Sequence, residues 1–172
     1  WDAWTPVAPS AIAHSDKWPV PRALERQEVK DLVQAWGEAA RRADAAGFDV
    51  LELHGAHGYL VHEFLSEKSN QRPDEYGGSE LNRMRFITRI VEGIRSAVPG
   101  LHVVVRASIF DVVPHRKGPE GVGVPEPVTG EEPGFGVLMN EDVDRALNDA
   151  RVLLTHLSRI GVSWMPISSS SS

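Results

Sequence analysis

Gly47-Phe-Asp-Val-Leu-Glu-Leu-His-Gly-Ala-His-Gly-Tyr59 is the stretch on which the fold turns. A glycine stops a helix, a short strand follows, and two histidines stand where that strand ends. In Phe48–Leu53, strand alternation sends Val50, Glu52 and then His54 to one side and Leu51 and Leu53 to the other. Both faces of such a strand are expected to be covered, as in parallel sheets generally.

Upstream of Gly47, from about Leu24, the residues Val29, Leu32, Val33, Trp36, Ala39, Ala40 and Ala43 recur at steps of three and four. That spacing places them on one face of a helix, and Gly47 terminates it. The same unit recurs twice. A helix from about Asn82 to Val98 carries Phe86, Ile87, Ile90, Val91 and Ile94 on one face, Pro99-Gly100 ends it, and His102–Ser108 is a β-branched strand. A third helix covers about Glu141–Ile160, Gly161 stops it, and Val162–Ile167 starts a third strand. Helix, glycine and short apolar strand, repeated, produce a parallel α/β sheet with covering helices. This alternation does not choose between an open doubly wound sheet and a closed eight-stranded barrel. No Gly-x-Gly-x-x-Gly follows a strand, so the dinucleotide version of the open sheet lacks its usual sign.

Between these units lie irregular segments. Trp1–Arg22 holds Pro6, Pro9, Pro19 and Pro21 and allows at most a short extended piece near Thr5–Ala8. His54–Gly78 is a polar, glycine-bearing excursion with room for one helical turn around Val61–Leu65. Phe110–Asn140 carries five prolines and six glycines without periodicity, which is long for an idle connection and reads as a functional or mobile insertion, with a lid over the site as its expected role.

With 172 residues the chain is expected to form one domain, residues 1–172. Eighteen basic against 24 acidic side chains, a net charge of −6 without long runs of one sign, argues against nucleic-acid or acidic-membrane partners and for small molecules or proteins. The absence of cysteine excludes disulfides, Cys-ligated zinc and Cys-held iron–sulfur clusters in this chain. No apolar run has the length of a membrane span and no leader opens the chain, so a cytoplasmic location is expected. The start at Trp1 and the serines Ser168–Ser172 look like cut ends.

Functional groups in parallel α/β folds collect at the carboxyl ends of strands. His54 and His57 stand at the end of the first clear strand and Arg106 near the end of the second. On a continuing strand the two histidines would face opposite ways, but Gly55 and Gly58 let the chain turn, so both imidazoles can converge and hold a carbonyl or phenolate oxygen. Other readings stand beside this one. The histidines can be ordinary polar residues at a strand end, Arg106 an ion-pair partner of Glu52, and Tyr59 either a proton donor or a half-buried aromatic. A metal site using His62 and Glu63 matches no zinc-binding spacing.

Ala46–Leu60, together with Glu63-Phe-Leu-Ser66, Asn70, Arg72, Asp74-Glu-Tyr-Gly-Gly-Ser79 and Asn82-Arg-Met-Arg-Phe86, resembles the central signature of the old yellow enzyme family of NADH:flavin oxidoreductases. Val105-Arg106-Ala-Ser108 resembles that family's next strand, and Pro6-Val-Ala-Pro-Ser10 its preceding loop. The resemblance covers most of Trp1–Ser108 and continues more loosely to Ser168.

It implies a parallel (β/α)8 TIM-type barrel with FMN at its carboxyl mouth, and NADH or NADPH as reductant. It implies that His54 and His57 hydrogen-bond the substrate carbonyl oxygen, that Tyr59 donates a proton, and that Arg106 contacts the flavin near its N1–O2 edge. The implied activity is that of an ene-reductase, passing hydride from the nicotinamide through the flavin to an activated alkene such as an α,β-unsaturated carbonyl. Barrels of this type take roughly 250 residues. The chain is therefore expected to supply about half of one, near its third to sixth strands, either as part of a larger chain or as a homo-oligomer. A half-barrel without flavin, acting as a structural or interaction module, is the alternative.

Overall fold

The computed structural model describes residues 4–112, 115–125, 134–136, 143–163 and 167–171. It opens with two short parallel strands, β1 (Val7–Ala8) and β2 (Arg22–Ala23), which pair with each other. Helix α1 (Arg26–Ala45) follows, and its start is tied down by charge. The Glu28 carboxylate accepts the Glu25 N–H at 2.7 Å and pairs with both terminal nitrogens of Arg22, which hold its carboxyl down to about 2.

Strand β3 (Val50–Gly55) leads into the short helices α2 (Leu60–Leu65) and α3 (Glu80–Arg83) and then α4 (Arg85–Ala97). Strand β4 (His102–Val112) runs four residues past the strand expected from its apolar centre. The antiparallel hairpin of β5 (His115–Lys117) and β6 (Gly123–Pro125) comes next, followed by α5 (Val143–Ala146), α6 (Asn148–Arg159) and β7 (Ile167–Ser171). The helix expected over Asn82–Val98 is thus broken at Met84, and the last helix at Leu147.

Strands β3, β4 and β7 form one parallel sheet in that order. Val50 pairs with His102, Glu52 with Val104 and His54 with Arg106. Ile167, the last residue of the Val162–Ile167 stretch expected to start the third strand, opens β7, and residues 164–166 of that stretch lie outside the described residues. Ser163 already donates its N–H to the Val103 carbonyl, but the ladder is formed by Ile167–Ser171 against Ala107–Val112. Backbone pairing needs no apolar side chain, so the serines extend the strand where hydrophobicity alone ends it.

The core lies on one side of this sheet. Leu53, Val103, Val105 and Ala107 are buried with Val29 and Ala40 of α1, Phe86, Ile87, Ile90 and Ile94 of α4, and Leu153 and Leu157 of α6. At its centre Phe86 meets Trp36 edge-on at 5.5 Å and Phe64 at 4.2 Å. The opposite face corrects the expectation that both sides are covered. Val50, Glu52, His54, His102 and Arg106 are exposed, and Val104, though buried, is not part of the core cluster. Among the described residues the helices therefore pack on one face, which is not the two-faced coverage of a doubly wound sheet.

The segment after α2 is stapled by side chains of the sequence signature. Asn70 donates through Nδ2 to the carbonyls of Phe64 (2.6 Å) and Tyr76 (2.7 Å). Arg72 reaches the carbonyls of Pro9 and Leu24 and pairs with Asp74 at 2.6 Å, tying this segment to the β1 and β2 region. Buried Arg83 donates to the Leu65 carbonyl and pairs with Glu67. These residues build the platform under the strand end rather than face it.

One-sided packing has a measurable consequence. Leu53→Ala, at a core position, should lower the unfolding free energy by about 2–5 kcal/mol. Val50→Thr, three residues away on the open face, should change it by no more than about 0.5 kcal/mol. Chemical denaturation checks both, and similar losses for the two variants would contradict an open face.

Candidate functional site

Strand β3 ends at Gly55, where the chain passes so close to β4 that a Cβ would stand 3.1 Å from the Arg106 carbonyl. A side chain there would force its neighbour to give by a few tenths of an ångström, so the approach favours glycine. Two residues on, the backbone turns through the left-handed region at His57 (φ 60°) and Gly58 (φ 73°). His57 pays a steric cost there that Gly58 does not. Two hydrogen bonds hold the turn. The His57 N–H donates to Ser108 Oγ at 3.2 Å, and the Gly58 N–H donates to His62 Nδ1 at 2.8 Å.

The turn brings the two histidines together. Their ring centroids lie 5.2 Å apart at 61°, and the Tyr59 ring lies 5.3 Å from that of His54. His54, His57 and Tyr59 are all exposed. Arg106 pairs with His54 across the β3–β4 ladder, and partners in a parallel pair share a face. All four residues expected at the strand end are thus grouped at the carboxyl edge of the sheet, on or beside its open face. Among the described residues Arg106 has no carboxylate partner, and the Glu52–Arg106 ion pair considered above does not form.

The cluster is electrostatically positive. Although His54 is exposed, partial burial is the largest cause that lowers its imidazole below the ordinary value, and His57 and Arg106 push the same way against the weaker opposing effect of Glu52. The neutral ring is therefore favoured, with one N–H to donate and one bare nitrogen. On α2, burial pushes the Glu63 carboxyl up to about 7, with His62 opposing.

Sequence reasoning named His62 and Glu63 only as possible metal ligands. Among the described residues, no group of three or more His, Asp or Glu side chains is placed to hold a metal ion. His62 is instead a hydrogen-bond acceptor for the turn. Ser108 was visible only as part of the signature, and its partner lies 51 residues away, beyond any local pattern. No helix among the described residues is long and apolar enough to cross a membrane. A surface depression lined by Lys30, Val33, Glu75, Tyr76, Arg85 and Arg89 includes none of the four strand-end residues.

Residues 3–124 match the family model of the NADH:flavin oxidoreductase / NADH oxidase family. The chain is 50% identical over 109 residues to an NADPH dehydrogenase of Bacillus cytotoxicus, which covers 63% of this chain and 31% of that protein. It spans about a third of the length of the curated relatives it matches. Among solved structures, histamine dehydrogenase from Rhizobium sp. 4-9 superimposes with a TM-score of 0.70 at 30% identity, covering 96% of this chain and 21% of that one. Morphinone reductase in complex with tetrahydroNAD superimposes with a TM-score of 0.58 at 35% identity, covering 62% and 34%.

The grouping of charges fixes a direction for titration. Removing either neighbouring positive group, by His57→Gln or Arg106→Gln, should raise the pH at which the His54 ring titrates, read from its ring C–H signals in NMR. A midpoint unmoved in both variants would contradict the clustering.

Proposed function

Because this chain belongs to the NADH:flavin oxidoreductase / NADH oxidase family, we propose that it forms part of an FMN-dependent ene-reductase whose substrate oxygen is held by His54 and His57. In this reading β3, β4 and β7 are consecutive strands of a (β/α)8 barrel, and the open face of the sheet is the barrel interior. The observation that carries the reading is the meeting of two exposed imidazoles at one strand end, with Arg106 in register beside them.

The donor set suits a flavin and an enone. Arg106, a cation without a carboxylate partner among the described residues, would hold the N1–O2 edge, where negative charge collects when the ring is reduced. FMN, when bound, supplies the carrier that takes hydride from NADH or NADPH and passes it on. The chain's own residues act on the other substrate. His54 and His57 each offer an N–H to its carbonyl oxygen. As hydride arrives at the β carbon, negative charge grows on that oxygen, so donors fixed there stabilise the transition state more than the bound alkene. The backbone that carries His57 is held before substrate arrives, because the turn at His57–Gly58 is already hydrogen-bonded. Tyr59, beside His54, is the candidate to deliver a proton to the α carbon. The outer edges of β3 and β7, which pair with no further strand among the described residues, are where further barrel strands, or a second copy of the chain, would pair.

The test is spectroscopic. Purified chain incubated with FMN should retain a bound-flavin band that bleaches with NADH or NADPH. Replacing His54 and His57 together should abolish binding of a phenol to the loaded protein while leaving the flavin in place. A colourless protein in excess FMN would rule out flavin catalysis by this chain and favour a structural module, and unchanged phenol binding in the double variant would remove the role of the pair.

A further inference from the structure

We propose that His62, braced by Asp111, is the positioning residue of the histidine pair, locking through the Gly58 N–H the left-handed turn that carries the His57 ring to His54. The inference rests on the reading of His54 and His57 as the pair that holds a ligand oxygen, and it extends that reading to residues that touch neither ligand nor flavin.

The geometry is specific about protons. A backbone N–H can only donate, so the 2.8 Å bond from Gly58 makes Nδ1 of His62 the bare nitrogen and leaves the ring hydrogen on Nε2. Nε2 lies 3.2 Å from Asp111 Oδ1. The N–H is not aimed squarely at that oxygen, so the contact is one of charge with dipole rather than an aligned hydrogen bond. It nonetheless selects the same tautomer, because a bare Nε2 facing a carboxylate would be repelled. His62 is 3% exposed, so a wrong tautomer would leave both its nitrogens mismatched in the interior.

Asp111 is itself fixed. Its Oδ2 accepts from Ser66 Oγ at 3.2 Å and from the Phe135 N–H at 2.9 Å, and its own N–H donates to the Phe135 carbonyl at 2.8 Å. The Phe135 ring meets the His62 ring edge-on at 5.9 Å. The end of β4, the 134–136 segment and α2 are therefore joined at one buried imidazole. That imidazole holds the residue following His57, while Ser108 of the same strand holds His57 itself. The two bonds secure the adjacent N–H groups of His57, the one non-glycine left-handed residue in this turn, and of Gly58 after it.

A buried histidine that merely fills space would be replaced equally well by any side chain of similar size. Positioning makes a sharper demand. In His62→Asn the amide oxygen can occupy the place of Nδ1 and still accept from Gly58. In His62→Gln the amide reaches towards Asp111 and leaves Gly58 without its acceptor. In the full chain, backbone hydrogen exchange at Gly58 should be about tenfold faster in His62→Gln than in wild type and close to wild type in His62→Asn. The nuclear Overhauser contact between the His54 and His57 rings should be lost in the first and kept in the second.

In the wild-type chain, needing no variant to fold, the 15N spectrum should show His62 protonated on Nε2, with a coupling across the hydrogen bond between Gly58 N and His62 Nδ1. Protonation on Nδ1, or equal Gly58 exchange in the two variants, would overturn the proposal. The phenol measurement separates the two levels. Failure of phenol binding to follow the amide exchange would count against the role of the histidine pair, whereas the amide comparison alone decides the role of His62.

Discussion

Two backbone N–H groups decide what this strand end presents to its surroundings. Those of His57 and Gly58, both residues at positive φ, each meet a side-chain acceptor, Ser108 Oγ and His62 Nδ1. Without that turn an odd spacing of three would send the two imidazoles to opposite faces of a continuing strand. With it, they stand 5.2 Å apart with Tyr59 and Arg106 beside them. A left-handed histidine is held against its own steric preference, a kind of strain that persists only where the surroundings overdetermine it. Here the surroundings are a serine of the neighbouring strand and a buried histidine one helical turn ahead.

The sheet supports this edge through an unequal division of its faces. Leu53, Val103, Val105 and Ala107 are sealed against three helices, which anchors β3 and β4 in register and so fixes His54 opposite Arg106. The other face carries Glu52, His54, His102 and Arg106 in the open. Covered by further strands of a barrel, that face would be a shielded interior in which fixed donors act more strongly than they do in water. The staples of Asn70, Arg72 and Arg83 hold the excursion between the two strands in place beneath it.

Much of this was legible in the sequence because it is local. The three- and four-residue recurrence from Val29 to Ala43 and from Phe86 to Ile94 located α1 and α4, and alternation in Phe48–Leu53 sorted the two faces of β3. His54, His57, Tyr59 and Arg106 were placed at strand ends by position alone, and the turn was anticipated from Gly55 and Gly58. What stayed hidden is long-range. Alternation does not say whether the Val50–His54 face is covered, since that depends on chain lying elsewhere. The apolar run Val162–Ile167 gives no sign that the third strand continues to Ser171, because β7 follows its register on Ala107–Val112 through serines that have no hydrophobic signal. Ser108 and Asp111 give no pattern of their own, and their meaning comes from partners across the fold. His62 and Glu63 match no metal-binding spacing in the sequence, and nothing local shows that His62 accepts from the Gly58 N–H and lies against Asp111.

In the proposed site His54 and His57 act together on one ligand oxygen. The decisive measurement follows the ring 15N signals of both histidines as a phenol is titrated into the FMN-loaded chain. Both sets of signals should move with one shared dissociation constant. Movement of only one ring, or two rings responding with different constants, would contradict it.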